Sequence, residues 1–234
     1  MNPKENLLAV LRRQKPQWTP WVPLIDPANT PCFVPPELRD HWDILDVSLY
    51  LHEKLGCDLL LGAGIVKTRQ RSAEYSKQIE GENIIEEYRI AGRTLRSVTR
   101  RSDAKGQVSH AITEYLLKEH NDLETFEMLV DDSYLEYDPT GFERLSKGIG
   151  DKGIVSIMAP RTPLMDIIIE RMGIEVFTYV LFDAPEIVDR LVKKMHERNC
   201  AHDRMIVESG LDYEVVRMHE DQDIMLTSPE TYRK

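Results

Sequence analysis

Two groups of side chains that can do chemistry stand directly after apolar runs in the second half of the chain. The first group follows residues 154–159, and the second ends the segment 213–221. Carboxylates and histidine can move protons, whereas an arginine beside a hydroxyl can bind an anionic group. The five side chains are Arg161, Thr162, His219, Glu220 and Asp221. We predict that the last three are catalytic and that the first two bind a substrate or cofactor.

A purely structural interpretation of the same side chains stays open. Acids at a strand end are commonly solvated, a lone histidine is commonly structural, and a loop arginine commonly pairs with a nearby acid. The choice depends on whether the fold brings the two groups together.

The segments around these groups predict alternating strands and helices. Residues 154–159, IVSIMA, form an apolar run that Pro160 stops, which is typical of a buried strand. Pro163 opens an apolar helix, and residues 183–210 begin with an Asp cap and end at a Gly, as one long helix would. Residues 213–221 then predict a second strand. Because buried strands separated by helices favour a parallel sheet, the two groups are expected at its carboxyl-end edge.

The N-terminal part of the chain supplies a further candidate loop. Residues 3–15 predict an amphipathic helix, and residues 19–25 predict a strand that two prolines would interrupt. The loop 26–36 follows that strand, so we predict substrate- or cofactor-binding roles for Asp26 and Asn29. A proline-stiffened connection is the alternative.

A second early strand is predicted over residues 58–62. Gly62 and Gly64 lie at its end, where the backbone could approach a ligand closely, although glycines are also ordinary turn residues. Further helices are predicted over residues 36–55, 121–132 and 139–149.

Residues 66–102 change to an alternating pattern of apolar and polar side chains. This period of two, with an Ala91-Gly92 turn, predicts an antiparallel hairpin inserted between units of the main sheet. Residues 66–105 contain ten Lys and Arg against six Asp and Glu. The local excess of positive charge could attract an anionic ligand, and a solvated hairpin face is the alternative.

Length, composition and charge narrow the class of protein. The 234 residues, 41% of them hydrophobic, are enough for one packed domain, which we predict over 1–234. The formal net charge of -10 argues against nucleic acid and anionic membranes as partners, and favours a small-molecule substrate and a cytoplasmic location. Three widely spaced cysteines, Cys32, Cys57 and Cys200, fit reduced thiols. None of them is placed in a metal-binding pattern, so no metal ligand is assigned.

The order of elements resembles the uroporphyrinogen decarboxylase superfamily, which includes the cobalamin-dependent methyltransferases. The matching segments span the chain and are NLLAVLRRQKPQWTPWVP, TEYLLKEHNDLETFEML, APRTPLMDIIIE, MGIEVFTYVLFDAPEIVDRLV and ESGLDYEVVRMHEDQDIMLTSPETYRK. The resemblance implies an α/β fold of the (β/α)8 TIM-barrel type, carrying the inserted β-hairpin. Only about four barrel strands are visible, and eight close a barrel. We therefore expect the N-terminal part of a longer chain, or completion by a second copy in a homodimer.

Three places where this chain differs from the decarboxylases indicate which branch of the superfamily it resembles more. The decarboxylases carry an arginine-rich loop after the first strand, an aspartate after the second, and a tyrosine in the helix after the third. At the corresponding places this chain has IDPANTP without arginine, Gly62-Ala63-Gly64-Ile65, and Asp166. Because carboxylate recognition and charge stabilisation need specific ionised or polar groups, the methyltransferase-like branch fits better.

The methyltransferase branch implies corrinoid-linked methyl transfer, with a methylated small molecule as donor, a corrinoid protein as candidate partner, and a thiol or folate acceptor. The zinc ligands of that branch correspond to positions beyond Lys234, so corrinoid and zinc are expected only for a longer protein. The resemblance places Glu220 and Asp221 on a strand end facing the cofactor. Two alternatives stay open: decarboxylation of uroporphyrinogen in porphyrin biosynthesis, and a non-catalytic tetrapyrrole-binding half-barrel.

Overall fold

The computed structural model of the chain describes residues 1–23, 35, 43–102 and 109–220. These residues form a mixed α/β fold, which agrees with the α/β part of the predicted fold class. The helices are α1 (Pro3–Leu11), α2 (Ile44–Leu55), α3 (His120–Asp132), α4 (Thr140–Ile149), α5 (Pro163–Met165), a π-helix (Asp166–Met172), α6 (Ile174–Asp183) and α7 (Pro185–Glu208). The strands are β1 (Leu59–Ala63), β2 (Val66–Gln70), β3 (Glu74–Glu80), β4 (Asn83–Ile90), β5 (Arg93–Ser102), β6 (Ser109–Glu114), β7 (Ser133–Tyr137), β8 (Gly153–Ala159) and β9 (Val216–Met218).

The central sheet has the order β1-β8-β9, and both pairs of strands are parallel. The first five residues of β8 are buried on both faces, as the continuous apolar run predicted. Val155 and Ile157 pack with side chains of α2, α4 and the end of α7, including Leu145 and Ile206. Within the part of the chain that the structure describes, this sheet is open and does not close into a barrel.

The inserted region is a four-stranded antiparallel sheet of order β3-β4-β5-β6. The predicted hairpin is β4–β5, and its turn residues Ala91 and Gly92 both have positive φ, at 50° and 77°. This geometry matches the right-handed twist of a two-residue hairpin. A separate antiparallel pair, β2 with β7, joins the insertion to the rest of the molecule.

A second hydrophobic core lies between the antiparallel sheet and the helices. Buried side chains of α3, the π-helix, α6 and α7 meet Leu95 of β5 there. The long helix α7 serves both cores, because Leu191 and Met195 belong to this one whereas Ile206 belongs to the core under the parallel sheet. The packing of both cores therefore depends on α7.

Two predicted strands differ from the observed structure. The described part of segment 19–25, up to Pro23, is not a strand, because its prolines lack the N–H that a ladder needs. Trp21 nevertheless exchanges hydrogen bonds with Asp58, beside the start of β1. The predicted strand 213–221 shortens to β9, which pairs with only the last three residues of β8.

The boundaries of two predicted helices also differ. The helix predicted over 3–15 ends at Leu11, after a start fixed by a capping box between Asn2 and Glu5. Asp183 is the last residue of α6 and does not cap α7, which begins at Pro185.

The segment after Pro163 continues as a π-helix rather than as one long α-helix. Gly173 N donates to Ile168 O at 3.0 Å, a bond that spans five residues, and Gly173 has a φ of 78°. The carbonyl of Arg171 accepts instead from Leu117 N at 2.8 Å. Such π-helical turns are rare and commonly lie beside functional sites.

Candidate functional site

The carboxyl ends of β8 and β9 form a common rim. In the parallel register Met158 lies opposite Arg217, and Ala159 lies opposite Met218. The chain therefore leaves both strands at the same edge of the sheet, as expected for parallel neighbours. This edge is where the two groups of predicted site residues begin.

The carboxylate of Glu220, in the second group, is bound by Thr162, in the first group. Thr162 N donates to Glu220 Oε1 at 2.5 Å, and Thr162 Oγ1 donates to Glu220 Oε2 at 3.0 Å. Both side chains are partly buried. Since each oxygen of the carboxylate has one donor and further lone pairs, Glu220 is oriented and can still accept from a ligand.

Arg161 lies beside this pair and is held on two sides. Its Nη2 is 3.3 Å from Glu170 Oε1, and its carbonyl accepts from Asn199 Nδ2 at 2.9 Å. The side chain is 16% exposed. The arginine is therefore engaged by neighbouring residues, as the structural interpretation of the sequence expected for it.

Four further site predictions have different outcomes. His219 is exposed, and among the described residues it makes no hydrogen bond or ion pair with another side chain. Asp221, Asp26 and Asn29 lie outside the described residues. The structure thus brings together Thr162, Glu220 and the neighbouring Arg161, and leaves the other predicted roles as predictions.

The sequence reasoning missed Arg217, which lies next to this rim. Its Nε and Nη2 are each 3.4 Å from Met158 Sδ, and no described carboxylate forms an ion pair with it. A Cβ at Gly62 would lie only 2.8 Å from Arg217 Nη2 and 2.7 Å from Met158 Sδ. Glycine at position 62 therefore leaves room for the guanidinium. A Cβ at Gly64, in contrast, would meet no heavy atom within 4 Å.

One feature of the sequence could have identified Arg217 as a candidate binding residue. An arginine inside a run that otherwise predicts a buried strand carries a charge that needs a partner or a ligand. A cation of this kind at a strand end is suited to bind an anionic or strongly polar group.

No described set of three or more His, Cys, Asp and Glu side chains is grouped to hold a metal ion. Among residues 1–23, 35, 43–102 and 109–220, no helix has both the length and the apolar character to cross a bilayer.

Comparison with protein-family models, curated proteins and solved structures finds no match for this chain.

Proposed function

We propose that this chain is a cytoplasmic enzyme of the uroporphyrinogen decarboxylase superfamily, in its corrinoid-linked methyltransferase branch. In this proposal β1, β8 and β9 are neighbouring strands of a (β/α)8 barrel. The single observation that supports it best is the Thr162–Glu220 pair at the carboxyl ends of two parallel strands. Enzymes built on parallel barrels place their reacting groups at this edge.

Glu220 is the residue to which we assign the proton transfer. When a methyl group leaves an oxygen or nitrogen, the bonding electron pair stays on that atom and a proton neutralises it. Thr162 would aim the Glu220 carboxyl group so that it can pass a proton to the leaving atom. Arg217 would orient a polar part of the substrate, since it has no carboxylate partner among the described residues.

A bound corrinoid would supply a nucleophilic cobalt that accepts the methyl group. The described residues offer no set of ligands for a zinc ion. The small-molecule donor and the final acceptor are defined only by class.

The test is to mix the chain with reduced cobalamin and a panel of methylamines, methanol and methoxy aromatics, and to follow methylation of cobalt by absorbance. We expect methylation with at least one donor, and a rate about 100-fold lower for Glu220→Gln, because positioned acids contribute about that much. Glu214→Gln is the control, since Glu214 pairs with Lys4 at 2.5 Å before β9 begins. It should keep the full rate.

Two results would contradict the proposal. Absence of a spectral change with every donor would remove methyl transfer. Formation of coproporphyrinogen from uroporphyrinogen, measured in parallel, would instead support the decarboxylase alternative.

A further inference from the structure

A cavity of about 440 Å³ lies where the antiparallel sheet meets the helices. Strands β2, β3 and β4 form one side, and α3, the π-helix and α7 form the other. Its volume is in the range of small-molecule sites. Neither Thr162 nor Glu220 lines it, so it is separate from the rim and does not depend on methyl transfer.

Two arginines from different helices line this cavity, Arg171 of the π-helix and Arg198 of α7. Arg171 Nε is 3.3 Å from Asp166 Oδ2, and Arg171 Cζ lies 5.6 Å from the centre of the Phe126 ring. Burial works to lower the pKa of Arg171, but the Asp166 carboxylate outweighs it and the net change is a rise. Arg171 is thus firmly charged and fixed.

Arg198 is the unusual member of the pair. It is partly buried, and no residue in the described part of the chain forms a hydrogen bond or ion pair with its guanidinium. Burial lowers the pKa of Arg198, the carboxylate of Asp166 opposes this shift, and the charge of Arg171 adds to it. An arginine stays charged in proteins, so a partly desolvated guanidinium that no described carboxylate contacts directly is stabilised when an anion binds.

The charge balance indicates which anion fits. Arg171 and Arg198 both interact with the carboxylate of Asp166. Glu170, which also interacts with Arg171, is paired with Arg161 at 3.3 Å, so these five side chains keep one net positive charge. Arg69, also in the wall, is already paired with Glu136 at 2.7 Å. A monoanion such as a carboxylate would restore neutrality, whereas a doubly charged phosphate would overshoot.

The remaining wall suits a flat apolar body. The rings of Tyr75 and Tyr88 lie with their centres 4.9 Å apart, and Phe126, Leu129 and Val130 close the opposite side. Burial raises the pKa of Tyr88, so its hydroxyl stays protonated and can donate to a carboxylate.

A neighbouring cavity of about 490 Å³ shares Tyr88 and Arg171 with the first. Its wall also carries Glu86 and Glu170, whose negative charges disfavour an anion. The first cavity is therefore the better anion site. We propose that the cavity between Arg171 and Arg198 binds a small aromatic or other flat apolar monocarboxylate.

Isothermal titration calorimetry with three ligands of one ring system tests this: 2-naphthoate, 2-naphthol and 2-naphthyl phosphate. We expect 2-naphthoate to bind at least about tenfold tighter than 2-naphthol, since charge-assisted hydrogen bonds are worth about that much. 2-Naphthyl phosphate should bind more weakly than 2-naphthoate. Arg198→Gln should lose about tenfold in affinity for 2-naphthoate and nothing for 2-naphthol.

Arg190→Gln is the matched control on the same helix, because Arg190 pairs with Glu127 outside the cavity. It should bind 2-naphthoate like the unmodified chain. If Arg198→Gln does not fold, Arg198→Lys takes its place in the calorimetry. In addition, NMR follows the Nε–H resonances of Arg171 and Arg198 of the unmodified chain while 2-naphthoate is added. Equal binding of 2-naphthoate and 2-naphthol, tighter binding of the phosphate, or arginine resonances that do not move would each overturn the assignment.

Discussion

The parallel and antiparallel sheets of this protein are held together by different forces. Strand β8 buries its first five residues without interruption, whereas β3 is exposed along all seven. The antiparallel sheet buries Leu95 and Val98 of β5, and cross-strand ion pairs and the Tyr75–Tyr88 contact add to this burial. Burial is worth far more free energy than exposed ion pairs. The parallel sheet therefore fixes the rim, while the antiparallel sheet contributes one wall of a cavity.

The largest expected difference in stability between the sheets comes from replacing one glycine in each sheet by alanine. A Cβ at Gly153 would lie 2.0 Å from Leu59 O on the adjoining strand, so Gly153→Ala must push β1 and β8 apart. We expect a loss of at least about 4 kcal/mol in the free energy of unfolding. Gly81→Ala, in the β3–β4 turn, meets no atom within 4 Å and should cost only about 1–2 kcal/mol for its positive φ.

Urea unfolding of both variants measures this difference. Equal losses for Gly153→Ala and Gly81→Ala would mean that β1 and β8 are not in close register.

Replacing one isoleucine in each sheet by alanine is a second comparison of how much burial stabilises the two sheets. Ile157 of β8 is 0% exposed and Ile79 of β3 is 73% exposed. Ile157→Ala should lower the free energy of unfolding by about 2–5 kcal/mol, because it leaves a cavity in a packed core. Ile79→Ala should change it by less than about 0.5 kcal/mol. Chemical denaturation checks both, and a large cost at Ile79 would indicate that another surface covers β3.

The smallest effect that we expect is electrostatic and belongs to the antiparallel sheet. Lys118 and then Arg96 hold the pKa of Glu114 below its ordinary value of 4.5. A carboxylate with a lowered folded-state pKa stabilises the fold above its ordinary value and loses this contribution as the pH falls through the folded value. Stability should therefore decline in acid below about 4.5, and less steeply in Glu114→Gln.

Salt provides the control for this electrostatic prediction. Arg96→Gln should cost about 0.2–1 kcal/mol at low ionic strength and nearly nothing at about 1 M salt, because exposed pairs are screened. A cost that does not change with salt would assign Arg96 a packing role instead.

The sequence predicted what local patterns encode. The run 154–159 could be interpreted as a buried strand because both faces of β8 are covered. The turn between β4 and β5 could be identified because a two-residue hairpin turn needs positive φ, which Gly92 adopts without steric cost. The shared edge of residues 161–162 and 219–221 was predicted from the rule for parallel strands. The hydrogen bonds between Thr162 and Glu220 were not predicted. To predict a shared edge, only the direction of the strands has to be known, and the helices between them indicate that they are parallel.

The sequence did not predict what depends on distant parts of the chain. The pairing of β2 with β7 and the π-helix have no local pattern that we recognised. Arg171 and Arg198 are charged residues on two helices, and only the packing of α7 against the π-helix side of the core turns them to one cavity. Local propensity therefore defined the elements, whereas tertiary packing defined the second site.

The proposed site at the rim requires that β8 and β9 run side by side and bring Thr162 into contact with Glu220. A double-mutant cycle of Thr162→Val and Glu220→Ala, measured by urea unfolding, is the decisive experiment. We expect a coupling free energy of about 0.5–3 kcal/mol between the two positions, as for contacting residues. Strict additivity, with coupling below about 0.3 kcal/mol, would show that the two side chains do not meet and that the rim is not assembled in this way.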